Sequence, residues 1–124
     1  MDLSATTGYL FEGFRLDLQK RRLSDPAGQP VSLSSRAYDV LAFLVEQRGR
    51  LVSKEELLRT VWPRLVVEEN NLNQAVHHIR KALGDSREQP RFLVTVPGRG
   101  FQFIAETEVE RWPAPGRGDA VDLF

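Results

Sequence analysis

No cysteine occurs in the 124 residues, which excludes disulfides and thiolate metal sites. No apolar run approaches the roughly 20 residues of a membrane span. The N-terminus lacks the basic-then-apolar order of a secretion signal. Histidine is nearly absent, at two, and the H-E-x-x-H zinc pattern does not occur. Net charge is missing as well: 17 Lys and Arg face 17 Asp and Glu. A strongly basic chain, the usual footprint of a nucleic-acid binder, is thereby excluded. The sum hides an order. Residues 1–69 hold ten of each sign, residues 70–105 five basic and two acidic, and residues 106–124 two basic and five acidic. The local field near a surface, not the total charge, steers a charged ligand. The length fits one domain, and a cytoplasmic setting is expected, with a membrane tether only if the chain continues beyond Phe124.

What is present centres on Glu68 to Gly84. Leu72, Val76, Ile79 and Leu83 recur with the period of a helix that buries one stripe. At about 100° per residue the opposite side collects Asn70, Gln74, His77 and Lys81, flanked by Asn73 and His78. Amides and cations are the groups that bond base edges and phosphates in a DNA groove. The alternative is a solvated polar face on an ordinary core helix. Glu68 and Glu69 suit the positive end of the helix dipole, and Gly84 supplies the stop.

The rest of the chain gives that helix a context. Residues 1–8 lack periodicity and are expected to fray. Tyr9–Phe11, Phe14–Leu18, Arg21–Ser24 and Pro30–Leu33 read as short strands around the turn Asp25-Pro26-Ala27-Gly28. Such a small antiparallel sheet must pack on something else. Ser34 caps a helix with an apolar face at Val40, Leu41, Leu44 and Val45, ending at Gln47-Arg48-Gly49. Arg50-Leu51-Val52 is long enough only for a link or a single bridge. Ser53 and Glu56 form a capping box for a helix through Leu57, Leu58, Val61 and Trp62, which Pro63 stops. Phe92–Val96 and Phe101–Ile104 are strands joined by the turn Pro97-Gly98-Arg99-Gly100. Phe14, Leu16, Phe43, Phe101 and Phe103 are assigned to the core. Residues 106–124 are expected to form a linker or tail, ending in a Pro- and Gly-rich stretch. The fold class is therefore α+β: a small N-terminal antiparallel sheet, three helices and a C-terminal hairpin, the pattern of a winged helix spanning 9–105.

In order, Arg48-Gly49-Arg50-Leu51-Val52-Ser53, Glu56-Leu57-Leu58, Val61-Trp62, Val76-His77-His78-Ile79-Arg80-Lys81-Ala82-Leu83-Gly84 and Thr95-Val96-Pro97-Gly98-Arg99-Gly100-Phe101 resemble the winged helix-turn-helix domain of OmpR/PhoB-type regulators. The early start resembles ToxR/CadC-type regulators, in which this domain comes first, and the chain is expected to be such an N-terminal piece or a stand-alone domain. The resemblance implies sequence-specific binding of double-stranded DNA in transcription regulation and two-component-like signalling. A recognition helix at about 68–83 would enter the major groove, and a wing at about 92–104 would lie at the minor groove. By position it implies contacts from Asn70, Asn73, Gln74, His77, His78 and Arg80, from Ser53, Lys54 and Trp62 around the second helix, and from Thr95 and Arg99 on the wing. Lys81 is added because it shares the outer side. The resemblance also implies that the 63–67 loop touches RNA polymerase and that copies bind as tandem pairs.

Two departures lower the expected number of phosphate contacts. Asn70, His77 and His78 stand where relatives often carry arginine, and Pro97 replaces a frequent cation. Weaker, less salt-sensitive binding follows. His77 and His78 diverge by about 100° and cannot chelate one ion together. If they touch phosphate, binding should strengthen as imidazoles protonate below about pH 6.5. Arg99 is a groove probe or a solvated turn. Trp62 is more a core residue than a contact. Leu65-Val66-Val67 either forms an exposed apolar loop or packs back. No catalytic residue, metal, cofactor or small-molecule substrate is expected. The competing reading is a winged-helix protein-interaction module that does not bind DNA.

Overall fold

The computed structural model describes residues 5–112. Two antiparallel sheets flank three helices. The larger sheet runs β4-β3-β2-β1-β8, and the smaller β5-β7-β6. The strands of the larger sheet are β1 (Ala5–Phe11), β2 (Phe14–Asp17), β3 (Arg22–Ser24), β4 (Pro30–Val31) and β8 (Glu108–Trp112). The smaller sheet takes β5 (Val52–Ser53), β6 (Leu93–Val96) and β7 (Gly100–Phe103). The helices are α1 (Ser35–Glu46), α2 (Lys54–Val61) and α3 (Glu69–Leu83).

Local chemistry sets most boundaries. Glu12 and Gly13 both have positive φ, as a two-residue I′ hairpin requires, and Phe11 pairs with Phe14 across it. Asp25 Oδ1 accepts from the N–H groups of Ala27 and Gln29, both at 2.9 Å, closing the turn before β4. Ser34 Oγ accepts from Ala37 N at 3.2 Å and caps α1. Ser53 Oγ accepts from Glu56 N at 3.0 Å and caps α2. The capping box is only half formed, because the Glu56 carboxylate is drawn instead to Arg50, at 2.9 and 3.1 Å. That guanidinium holds the Glu56 carboxyl below the usual range.

The expected frayed end and tail need correction at both margins. Ala5–Gly8 is strand, and Glu108–Trp112 is strand as well. Each is the other's partner, from Ala5 opposite Trp112 to Leu10 opposite Glu108, with a bulge between Thr6 and Gly8. Neither segment has an apolar alternation of its own. The pairing, joined by Val109 packing on the core, makes the strands. The Pro- and Gly-rich stretch 113–118 lies outside the described residues.

The core joins the two sheets through aromatics. Phe11 of the larger sheet meets Phe92, just before β6, and Phe103 of β7, and Phe14 meets Phe92, with centroids 5.0 to 6.0 Å apart. Edge-on aromatic pairs add to plain area burial. Phe43 is only partly buried, at the margin of the core. Against this base α1 and α3 pack through Val40, Leu41, Leu44, Leu72, Val76 and Ile79, all buried. No buried polar or charged residue interrupts them among the described residues.

Candidate nucleic-acid interface

The stripe of α3 read from the sequence is the buried one: Leu72, Ala75, Val76, Ile79 and Leu83 face inward. Asn70, Asn73, Gln74, His77 and Lys81 consequently project outward and are exposed, while His78 is half-buried at the margin. The helix ends as anticipated. Gly84 takes the left-handed conformation at φ 68°, with Gly84 N donating to Lys81 O and Asp85 N to Arg80 O, a Schellman stop.

Asp85 then fixes the wing to the end of α3. Its carboxylate accepts from the backbone N–H groups of Arg91, Phe92 and Leu93 at 2.8, 3.2 and 2.9 Å. β6 therefore starts at a set distance from the helix. The tip is a turn with Arg99 N donating to Val96 O at 3.0 Å and Gly98 at φ 73°. Proline at the second position and a positive-φ glycine at the third make it type II. Pro97, a departure from the family when read as a lost cation, is here the turn-former. Gly100 has a separate constraint: a Cβ there would stand 2.0 Å from Val52 O. That close approach lays β7 against β5 and brings the wing tip to the start of α2, where Lys54 N donates to Arg99 O at 3.3 Å.

An open groove of about 890 Å³ lies between α3 and the wing. Six of the expected contact residues line it: Lys54, Asn73, His77, Arg80, Lys81 and Thr95. Asn70 and Gln74 sit on the same outer side of α3, exposed. Arg99 is exposed at the wing tip. Ser53 is exposed but serves as the α2 cap.

Several expected contacts are engaged internally. Arg80 and Thr95 bond each other: Arg80 Nη2 donates to Thr95 Oγ1 at 2.6 Å and to Leu93 O at 3.1 Å. The Nε of Arg80 is buried without a hydrogen-bond partner among the described residues. Burial pulls its guanidinium below the usual arginine value, while Asp85 pulls the other way. Arg80 thus links helix to wing. Lys54 Nζ is paired with Glu69 Oε2 at 2.6 Å. Trp62 is 7% exposed and belongs to the core, with the Arg36 guanidinium 5.7 Å from its ring centre.

The groove also takes Glu69, Asp85, Arg87 and Glu88, none of them among the expected residues. The first and the rest flank the acid-free stretch of α3, one at its start and three after its stop. The Gly84 stop turns the chain there and the Asp85 carboxylate ties it to the start of β6, and no period in the sequence marks these residues. Beside α2, Leu65 and Val66 are exposed at 59% and 106%, whereas Val67 packs on the core. The loop therefore divides between the two readings given for it. Among the described residues no cluster of His, Asp or Glu is arranged to hold a metal ion, and no helix is long and apolar enough to cross a membrane.

Comparison with known proteins agrees with this geometry. The transcriptional activator CadC of Escherichia coli (strain K12) is 33% identical over 78 residues, which are 62% of this chain and 15% of CadC. Across such relatives the chain spans between 15% and 42% of their length. Among solved structures, the response regulator DrrB, a Thermotoga maritima OmpR/PhoB homologue, superposes with a TM-score of 0.72 at 28% identity, over 79% of this chain and 44% of DrrB. The Klebsiella pneumoniae RstA DNA-binding domain, solved in complex with the RstA box, gives a TM-score of 0.66 at 22% identity, over 83% and 98%. The family described as "Transcriptional regulatory protein, C terminal" matches residues 28–103, more than half of the chain. With three helices, a β-hairpin wing and this match, the chain belongs to that family, the winged-helix domains of OmpR/PhoB-type transcriptional regulators.

Proposed function

We propose that this domain binds double-stranded DNA sequence-specifically, with α3 in the major groove and the β6–β7 wing at the minor groove. One observation carries the reading: Asn73, His77 and Lys81 of α3 and Thr95, Pro97 and Gly98 of the wing line one open groove, with Gln74 exposed on the same outer side of α3 and Arg99 exposed at the wing tip. Asn73 and Gln74 are suited to adenine, whose N6 and N7 take a bidentate amide. His77 and His78 are suited to guanine acceptors or phosphates. Lys81, Arg99 and Ser53 are placed for phosphates, with Asn70 at the leading edge of α3. Lys54 serves there once released from Glu69. Arg80 and Thr95 act mainly on each other, holding the wing to the helix, and Trp62 contributes its buried ring to the core. Few phosphate contacts remain, so a single copy binds modestly, and tandem copies on direct repeats would add affinity. The RstA domain, whose structure is of a DNA complex, shares this architecture.

Selecting bound sequences from a random duplex pool tests the proposal. A recurrent motif is the expected result, with retention that falls as salt rises. A chain that washes through mixed-sequence duplex at low salt, and enriches no motif, is instead a protein-interaction module.

The exposure of Leu65 and Val66 favours one further contact, with RNA polymerase through the 63–67 loop. Replacing both by Asp should abolish activation in a reconstituted transcription assay and leave DNA affinity intact. A parallel loss of DNA affinity would refute that role.

A further inference from the structure

The Lys54–Glu69 pair stands inside the groove, not on a remote surface. Lys54 is the first residue of α2 and Glu69 the first of α3. Packing of the two helices brings them to 2.6 Å across 15 positions of sequence. Both line the groove with Asn73 and His77, which follow Glu69 at one and two turns along α3. The ammonium side chain is 25% exposed and the carboxylate side chain 51% exposed. The acid is the more open partner, so it presents its charge to whatever enters the groove. Glu68, its neighbour, is exposed and makes no ion pair among the described residues.

We propose that Glu69 is an affinity-setting residue: its carboxylate occupies Lys54 in the free protein as a stand-in for a DNA phosphate. The inference rests on the DNA-binding reading above. A carboxylate and a phosphate oxygen present the same chemistry to an ammonium, an anionic acceptor for a charge-assisted hydrogen bond. A phosphate that engages Lys54 must displace Glu69, and the freed carboxylate then faces the phosphate array with like charge. Binding to arbitrary DNA, which is almost wholly electrostatic, is thereby held down. Base contacts from α3 decide which duplexes bind in spite of it.

Competition has a signature that plain repulsion lacks. If Glu69 only repels DNA, removing Lys54 has the same effect whether or not Glu69 is present. If Glu69 competes for Lys54, removing Lys54 matters less while Glu69 is there. The experiment measures the affinity of four proteins for a short mixed-sequence duplex at low salt: the natural chain, Glu69→Gln, Lys54→Met and the double variant, with melting curves to show that each is folded. Glu69→Gln is expected to bind on the order of 5-fold more tightly. Lys54→Met is expected to weaken binding by a factor about 1.5 to 5 times larger in the Glu69→Gln background than in the natural one, the range of an exposed pair. Glu68→Gln makes the same charge change and should show no such coupling to Lys54. Equal Lys54 effects in both backgrounds, or no gain from Glu69→Gln, would overturn the inference and leave DNA binding standing. Failure of both the natural chain and Glu69→Gln to bind any duplex would overturn the functional reading itself.

Discussion

The two sheets of this domain differ in which of their cations are engaged. At the larger sheet two cations are engaged by acids of their own neighbourhood: Arg15 pairs with Glu110 at 2.9 Å and Asp17 at 3.5 Å, and Arg21 with Asp39 at 2.8 Å while covering the Tyr38 ring, whereas Arg22 and Arg111 have no ion pair among the described residues. In the smaller sheet and the helix beside it, Arg99 and Lys81 have no ion pair among the described residues. A surface whose charges are mutually engaged has little left for a partner. One whose donors remain open is available for a polyanion. Under the proposed function, the open donors beside α3 and the wing form the part that binds, and a net charge of zero does not oppose it because the local field decides. On that side Lys54–Glu69 and Arg50–Glu56 are the paired cations, and Arg91 lies 3.8 Å from Glu12.

The largest test breaks the link between the two regions. Phe92 is fully buried where the sheets' aromatics meet. Phe92→Ala should cost about 3–5 kcal/mol and lower the melting temperature by more than about 12 °C, with both regions lost in one cooperative transition. Two separate transitions would show that the regions do not share a core.

A second variant should act on the binding side alone. Gln74 is exposed on α3. Gln74→Ala should cost about 1–3 kcal/mol at one base pair of a selected site, with an unchanged melting temperature. Unchanged affinity and preference would show that the outer side of α3 is misassigned.

The Arg80–Thr95 link sharpens the boundary between support and contact. In a double-mutant cycle, Arg80→Met and Thr95→Val should show a coupling of at least about 0.5 kcal/mol in thermal or denaturant stability. If Arg80 is a strut, its loss also leaves the salt dependence of DNA binding nearly unaltered. A slope shallower by about 0.9 would mark a phosphate contact instead.

The smallest effect concerns acid. The backbone N–H of Lys20, and less so that of Gln19 with the Arg15 charge, holds the Asp17 carboxyl below its usual value. A folded-state value below the unfolded one contributes stability above the unfolded value, and that contribution fades as pH falls through the folded one. The melting temperature should therefore decline from about pH 4.5 downward, where ordinary carboxyls begin to protonate. The decline should be slightly shallower in Asp17→Asn. An equal slope in that variant would place the acid sensitivity elsewhere.

The helices were legible because their determinants are local. Ser34 and Ser53 as caps, Gly84 as the stop, and Leu72-Val76-Ile79-Leu83 as a stripe each act within a few residues of chain. The same applies to the wing turn at Pro97-Gly98. An outward face for Asn73, Gln74 and His77 followed from the stripe, since a helix that buries one side must expose the other. The family resemblance supplied the expected contact positions at Ser53, Thr95 and Arg99, which no period marks.

The sequence by itself thus determined where helices start and stop, which side of α3 is buried, and that the hairpin follows it. Tertiary structure alone decided the partners: that β8 joins β1 from the far end of the chain, that Arg80 is taken up by Thr95, and that Lys54 meets Glu69. Periodicity and capping report on neighbours along the chain. A hydrogen bond or ion pair between distant segments depends on where the core brings them, and many cations and acids in this chain were equally eligible until it did.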